Sequence, residues 1–467
     1  MNAIRFVHDL AFDDLPRAVA EQAKRCVLDL LGVAAAGIQT DLSRIARNFA
    51  FSQMGAGGRG ARMLFDGRPA SPAGAAFAGA STIDAFDAHD GHSLTKGHAG
   101  AALLPALLAL SDSETIADGR GFLTSLAVGY EIAIRAGIAL HASAAEYHTS
   151  GAWNAIGCAA MVARALGLDV ARTRHALGIA EYNGPRSQMM RCIDHPTMIK
   201  DGSGWGALAG VSAGYLAAEG FTGAPAVTVE RAEHGELWAD LGARWRILEL
   251  YFKPYPVCRW AQPAMEAADS LVRQHAIDAG DIVSIEVETF DHAVRLGART
   301  PTTTEEAQYA IAFPLAVLLA RGRLGAQEIA AGSFGDARTQ ALAARVSLRE
   351  NPDFTRRFPA ERLAKVVIRR RDGSFVGSEP TPARGEADAP LDDEAMMAKF
   401  RDLASGLAAR RRTTIEHAVG RLDDEEEALA RLQDAVLAPT DPAQSEPDRG
   451  RRRAKSSASA FASARAR

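Results

Sequence analysis

Between residues 15 and 37 the apolar positions Val19, Ala23, Cys26, Val27, Leu30 and Leu31 recur three and four apart. That spacing predicts a helix entered at Pro16 and stopped at Gly37. Ser71-Pro72 pairs a capping residue with a first-turn proline and predicts a second helix over 73–84. Apolar stretches at 101–110 and 122–141, an alanine-rich stretch ending at Leu166-Gly167, and 172–181 continue the helical series. After Lys200 a run of glycine and alanine over 202–214 has side chains small enough for close helix packing. From about residue 251 the texture changes. Strand signals occupy 282–290, 344–348 and 364–371, the last turning at Asp372-Gly373 into 374–377, with helices expected at 305–320 and 325–331 among them. Helical spacing returns at 392–437.

The fold class read from this pattern is mainly α with an inserted α+β domain. A large all-helical domain is formed by both chain ends, 1–262 and 392–439, a smaller α+β domain occupies 263–391, and 440–467 is a disordered basic tail. Hydrophobic residues make up 47% of the 467 positions and charged residues 24%, as in ordinary globular proteins. A net charge of -4 points to neither nucleic acid nor membrane as a partner, and the acids near Met1 replace the basic start of a signal peptide, so a cytoplasmic protein is expected. Cys26, Cys158, Cys192 and Cys258 lie far apart, which argues against structural zinc and iron–sulfur clusters. Residues 55–60 match Gly-x-Gly-x-x-Gly and residues 210–214 match Gly-x-Ser-x-Gly, but each has a helix-like stretch where its motif needs a strand, so neither carries function.

Chemistry concentrates at 84–105, where Asp84, Asp87, His89, Asp90, His92, Lys96 and His98 lie between two apolar runs. Such a cluster is costly to desolvate unless its members pair with each other or with a ligand, which marks the floor of an active site. Asp87, His89, Asp90, His92 and His98 could alternatively ligate a metal ion. Tyr147-His148, just before a small-residue helix, reads as a second wall. Pro254 and Pro256 impose an extended path that holds Lys253 and Arg259 on a constrained loop.

Several ordered blocks, over roughly residues 5–440, resemble the MmgE/PrpD family, which holds 2-methylcitrate dehydratase, cis-aconitate decarboxylase and iminodisuccinate epimerase. The blocks are 27–33 with Gly37, 84–105, 148–167, Lys200 with the helix ending at 220–225, 253–256, and 306–313. The resemblance implies a helical domain with a smaller α+β lid, the site between them, a homodimer, no metal and no organic cofactor. It places the catalytic positions on Asp87, His98, His148 and Lys200, with Lys253 also in the site; Lys253, Arg259, Asp90 and Tyr147 are the expected substrate-binding set. The chain departs from the pattern at Gly91, where dehydratase and decarboxylase members have threonine. It departs again at Ala99 for proline, at Cys258 for a histidine of the decarboxylase, and at Phe313 for tyrosine.

The chemical thread of the family is removal of a proton next to a carboxylate, which needs a positioned base and fixed positive charge. His98 is the expected base with Asp87 holding its tautomer, His148 the partner acid, and Lys200, Lys253 and Arg259 the cations facing a small anionic polycarboxylate. Dehydration of a hydroxy-polycarboxylate is the expected reaction. Epimerisation of a dicarboxylate and a catalytically silent binding homologue are the alternatives.

Overall fold

The apolar stripe at 15–37 folds as the helix Arg17–Gly37, buried along most of its length in a computed structural model that describes residues 2–113, 116, 118–297 and 300–440. Ser71 caps the next predicted helix as expected, its hydroxyl accepting from the Gly74 N–H, and Pro72–Asp84 follows. Gly100–Ser113, Gly119–Ser143, Gly151–Ala165, Val170–Asn183 and Ser203–Ala218 complete a helical body. The small residues do what their size allows: a Cβ on Gly210 would stand 2.2 Å from the Ala155 carbonyl oxygen, so only glycine lets Ser203–Ala218 lie this close to Gly151–Ala165. Gly119–Ser143 is long and apolar enough to cross a membrane by length and composition, yet it is packed inside the protein with Glu131 and Arg135 paired along it.

Strand residues gather into a sheet between 282 and 382. Its order is Val346–Glu350, Ile282–Thr289, Leu363–Arg370, Phe375–Gly377, with Thr381–Pro382 pairing the Leu363 end of the third strand. Ile282–Thr289 runs parallel to Val346–Glu350 and antiparallel to Leu363–Arg370. Ile285, Val287 and Thr289 are buried and alternate with more exposed Glu286 and Glu288, the period expected of a sheet covered on one side. The helices Gln262–Gln274 and Ala312–Arg321 pack with this sheet region. Asp393–Leu403 then returns to Arg17–Gly37, and Lys399 on it donates to the Ala88 carbonyl at 2.7 Å under the floor of the site.

The protein is thus mainly helical with a mixed sheet region, and it differs from the sequence reading in three places that matter. The helix expected over 305–320 is broken into Thr304–Gln308 and Ala312–Arg321. Pro314 suits the restart: it falls in the first turn of Ala312–Arg321, where its missing N–H would have had no helical partner. Residues 325–331 form only a short 3-10 turn, Gln327–Ile329. An unexpected ladder pairs Gly91 with Tyr251 and His92 with Leu250, tying the histidine-rich loop to the segment that carries Lys253. Gly210 and Gly214 lie inside Ser203–Ala218, with no strand before them, as the sequence indicated. Of the tail, Thr440 is described, its N–H donating to the Phe65 carbonyl at 3.1 Å, and 441–467 lie outside the described residues.

Candidate active site

Helix Pro72–Asp84 delivers the floor of the site at its C-terminal end. Asp84 accepts there from the Ser203 N–H at 3.2 Å and lies 3.3 Å from His89 Nε2. Beyond it, Asp87 (2% exposed), His98 (7%), Lys200 (1%) and Lys253 (0%) form one buried polar group. Lys253 Nζ forms an ion pair with the Asp87 carboxylate and donates to the Asp87 carbonyl at 3.2 Å. His98 Nε2 lies 3.5 Å from Lys253 Nζ and 3.7 Å from Asp87 Oδ1. Lys200 Nζ donates to Gln308 Oε1 at 2.5 Å and sits 4.6 Å over the Tyr309 ring.

The tautomer of His98 follows from one contact. Its Nδ1 is 2.6 Å from the Asp90 carbonyl oxygen, which can only accept, so Nδ1 carries the proton and Nε2 keeps its lone pair. The expectation that Asp87 would orient this imidazole is therefore corrected: the loop backbone does so, and Asp87 stands on the Nε2 side, bound to Lys253. Burial, then Lys253 and His89, push His98 well below its ordinary value, so at neutral pH it is an uncharged base. Burial alone would raise Asp87, but Lys253, His98, His89 and Lys200 outweigh it and hold the carboxyl well below the usual range.

Three residues missed at the sequence level complete the frame. Gln308 accepts from both Lys200 and the Asp87 N–H, the latter at 2.8 Å, while its Nε2 donates to Ala85 O and Thr304 Oγ1. Ser150 Oγ accepts from the His98 N–H at 2.8 Å and donates to Asp201, whose carboxyl burial and Asp84 push up to about 7. Tyr251 stands edge-on to His98, ring centroids 6.4 Å apart. Gln308 lay inside the block at 306–313 and Ser150 inside the block at 148–167, which was their one signal; nothing in composition or spacing marks Tyr251.

Three expected site residues are placed elsewhere. His148 is half-exposed, and its hydrogen bonds go to the Glu146 carbonyl and, through its backbone N–H, to His141. Main-chain pairing of 147–149 with 187–189 fixes this segment so that Ser150, not His148, meets His98. All three guanidinium nitrogens of Arg259 are spent on Glu386, Gln262 and the carbonyls of Ala383 and Arg384, which makes it a clamp for the 383–386 loop. Asp90 is fully buried, takes the Tyr130 hydroxyl at 3.0 Å, and is pushed up to about 7 by burial and Asp29. Only its carbonyl serves the site.

Tyr147 lines a cleft of about 630 Å³ together with Lys96, His141, Gln188, Arg191 and Arg295. Its ring is 4.5 Å from Lys96 Nζ, on the loop that leads to His98. A separate cavity of about 430 Å³, lined by Gln39, Thr303, Glu305, Arg323 and Asp402, holds none of the site residues. Asp87, His89 and His98 present ligand atoms within 4.8 Å of one another, a grouping that suits a metal ion. The Lys253 ammonium already binds this Asp87 carboxylate and faces His98, so a metal ion would meet a fixed positive charge there; the residues fit the lysine rather than an ion. The thiol of Cys258, pushed up to about 12 by burial and Asp87, stays protonated.

A neutral imidazole with a free lone pair and two ammonium groups, all shielded from water, can take a proton from a carbon acid and stabilise the anion that forms. Known proteins have similar sequences over most of the chain. Cis-aconitate decarboxylase of Aspergillus terreus (strain NIH 2624 / FGSC A1156) is 24% identical over 475 residues, 91% of this chain and 92% of that one. The cis-aconitate decarboxylase-like protein oryM of Aspergillus oryzae is 24% identical over 90% of this chain and 93% of its own length. Cis-aconitate decarboxylase of Mus musculus is 24% identical over 91% of each. The MmgE/PrpD N-terminal domain matches residues 3–239 and the MmgE/PrpD C-terminal domain residues 255–424. With both domains matched in order, the chain belongs to the MmgE/PrpD family.

Proposed function

We propose that the protein is a lyase acting on a small polycarboxylate, most simply by dehydrating a hydroxy-acid. The observation that carries this is His98, neutral, with Nδ1 held by the Asp90 carbonyl and Nε2 directed at Lys253 and Asp87. In the proposed step Nε2 takes the proton from the carbon next to a substrate carboxylate. The electron pair forms the carbon–carbon double bond, and the hydroxyl on the neighbouring carbon leaves as water with a proton from one of the two ammonium groups. Lys200 and Lys253 hold the carboxylates where the enediolate charge develops. Substrate carboxylates bring negative charge beside His98 and raise its basicity at the moment it must act. The cleft at Lys96, Tyr147, Arg191 and Arg295, which also holds Glu146 and the Asp194 partner of Arg295, adjoins the loop that leads to His98.

A second reading is decarboxylation, favoured by the similarity to cis-aconitate decarboxylases. Against it stands Cys258, which replaces a histidine of the decarboxylase pattern. Incubating the protein with hydroxy- and unsaturated tricarboxylates in deuterated buffer, followed by NMR and ultraviolet absorbance, separates the two. Dehydration creates a conjugated double bond, decarboxylation loses a carbon, and epimerisation gives deuterium uptake without absorbance. None of these with any polycarboxylate would leave a binding role and overturn the enzyme reading.

The division into a helical unit, 1–262 with 392–439, and a lid at 263–391 belongs to this proposal, as does a homodimer. The dimer is supported by an exposed apolar groove in which Ile45, Phe49, Met198, Trp205 and Ile199, the residue before Lys200, adjoin Phe77.

A further inference from the structure

Gly91 and Tyr251 form a matched pair. They are partners in the ladder that joins the histidine-rich loop to the Lys253 segment. A Cβ on Gly91 would lie 2.4 Å from both Cζ and the hydroxyl oxygen of Tyr251, so the phenol occupies the space any side chain at 91 would need. The ring is held there. Arg259 lies 4.7 Å and Arg362 5.6 Å from its centroid, and both guanidiniums are themselves fixed, Arg259 by Glu386 and Arg362 by Ser93. The third side is the edge of His98.

Despite this confinement the hydroxyl has no use within the protein. Tyr251 is 2% exposed, yet among the described residues its oxygen neither donates nor accepts a hydrogen bond. The oxygen is not among the enclosed unpaired side-chain atoms of the described residues, so it stays reachable, and a rigid ring that holds a free phenol beside His98 is placed to meet a partner that arrives with the substrate. Burial raises the phenol well above its ordinary value, so it keeps its proton and acts as a donor.

We propose that Tyr251 is a substrate-contacting residue whose phenol donates a hydrogen bond to an oxygen of the bound polycarboxylate next to His98, and that Gly91 is glycine to make room for it. The inference rests on the polycarboxylate reading above and adds a selection rule: the site favours acids that present a carboxylate or hydroxyl oxygen to the phenol and rejects those with a methyl group there.

The test is Tyr251→Phe in the full chain, which keeps the ring on Gly91 and between the two guanidiniums. Binding of tricarballylate and of citrate is followed by calorimetry and by near-ultraviolet tyrosine difference spectra. Loss of one hydrogen bond to a charged acceptor predicts affinity weakened about tenfold or more, disappearance of the ligand-induced tyrosine signal, and an unchanged melting temperature. Equal affinity and an equal difference spectrum in Tyr251→Phe would overturn the assignment of Tyr251 alone. Failure of the unsubstituted protein to bind either acid would overturn the polycarboxylate reading and this inference with it.

Discussion

Lys253→Met removes the ammonium that binds Asp87 while keeping most of the side-chain volume. Both partners are buried, Asp87 at 2% and Lys253 at 0% exposure, so water cannot replace the lost charge. His98, with Nδ1 committed to Asp90 and Nε2 unprotonated, offers Asp87 no donor in its neutral form. What remains to the carboxylate is Lys200, bound to Gln308, and His89 at 4.0 Å. Removing one member of a buried ion pair costs about 3–5 kcal/mol, a large share of the ~5–15 kcal/mol typical of a folded domain.

The sign with pH follows from Asp87. Its folded value is depressed, so its contribution is fully present above the unfolded value of about 3.9 and is lost as pH falls through the folded one. The gap between the parent protein and Lys253→Met should therefore be widest at neutral pH and close on acidification below about pH 4. Thermal or urea unfolding of the parent, Lys253→Met, Asp87→Asn and the double variant measures the coupling, expected at ~2 kcal/mol or more. A coupling below ~0.5 kcal/mol, or a gap that widens in acid, would refute the argument that this pair is a buried, mutually required charge couple.

Loss of the base in His98→Ala should lower kcat by about 10²–10⁴, whereas His148→Ala, whose imidazole bonds to the Glu146 carbonyl of its own loop, should keep most turnover; steady-state kinetics on the two variants decides between the structure and the sequence reading. Gln308→Leu strips Lys200 of its acceptor and leaves the Asp87 N–H and Ala85 carbonyl unpaired, at about 1–3 kcal/mol per group, so a lower melting temperature with a raised KM is expected. Gly91→Ala should destabilise by ~1–3 kcal/mol from overpacking and be relieved by adding Tyr251→Ala, read as recovery of the melting temperature in the double variant.

Much of this protein was written locally. The stripe in Arg17–Gly37, the Ser71 cap and the alternation of Ile285 and Val287 each depend on residues a few positions apart, and each appears in the structure where spacing put it. Locally legible too was the density of Asp87, His89 and His98 between apolar runs, because an unneeded cluster of that kind would be too costly to bury. What spacing could not convey was the direction in which each side chain points once distant segments meet. His148 and Arg259 have the right chemistry, but backbone pairing turns the first outward and Glu386 with its neighbouring carbonyls occupies the second. Gln308 and Ser150 are ordinary polar residues until folding brings them, across 221 and 52 positions of chain, against Asp87 and His98. Residue type and period are properties of the chain itself and decide which elements form and where charge accumulates. Tautomer, pairing and the closeness of Gly91 to Tyr251 are set by contacts remote in sequence, and only the tertiary structure decides them.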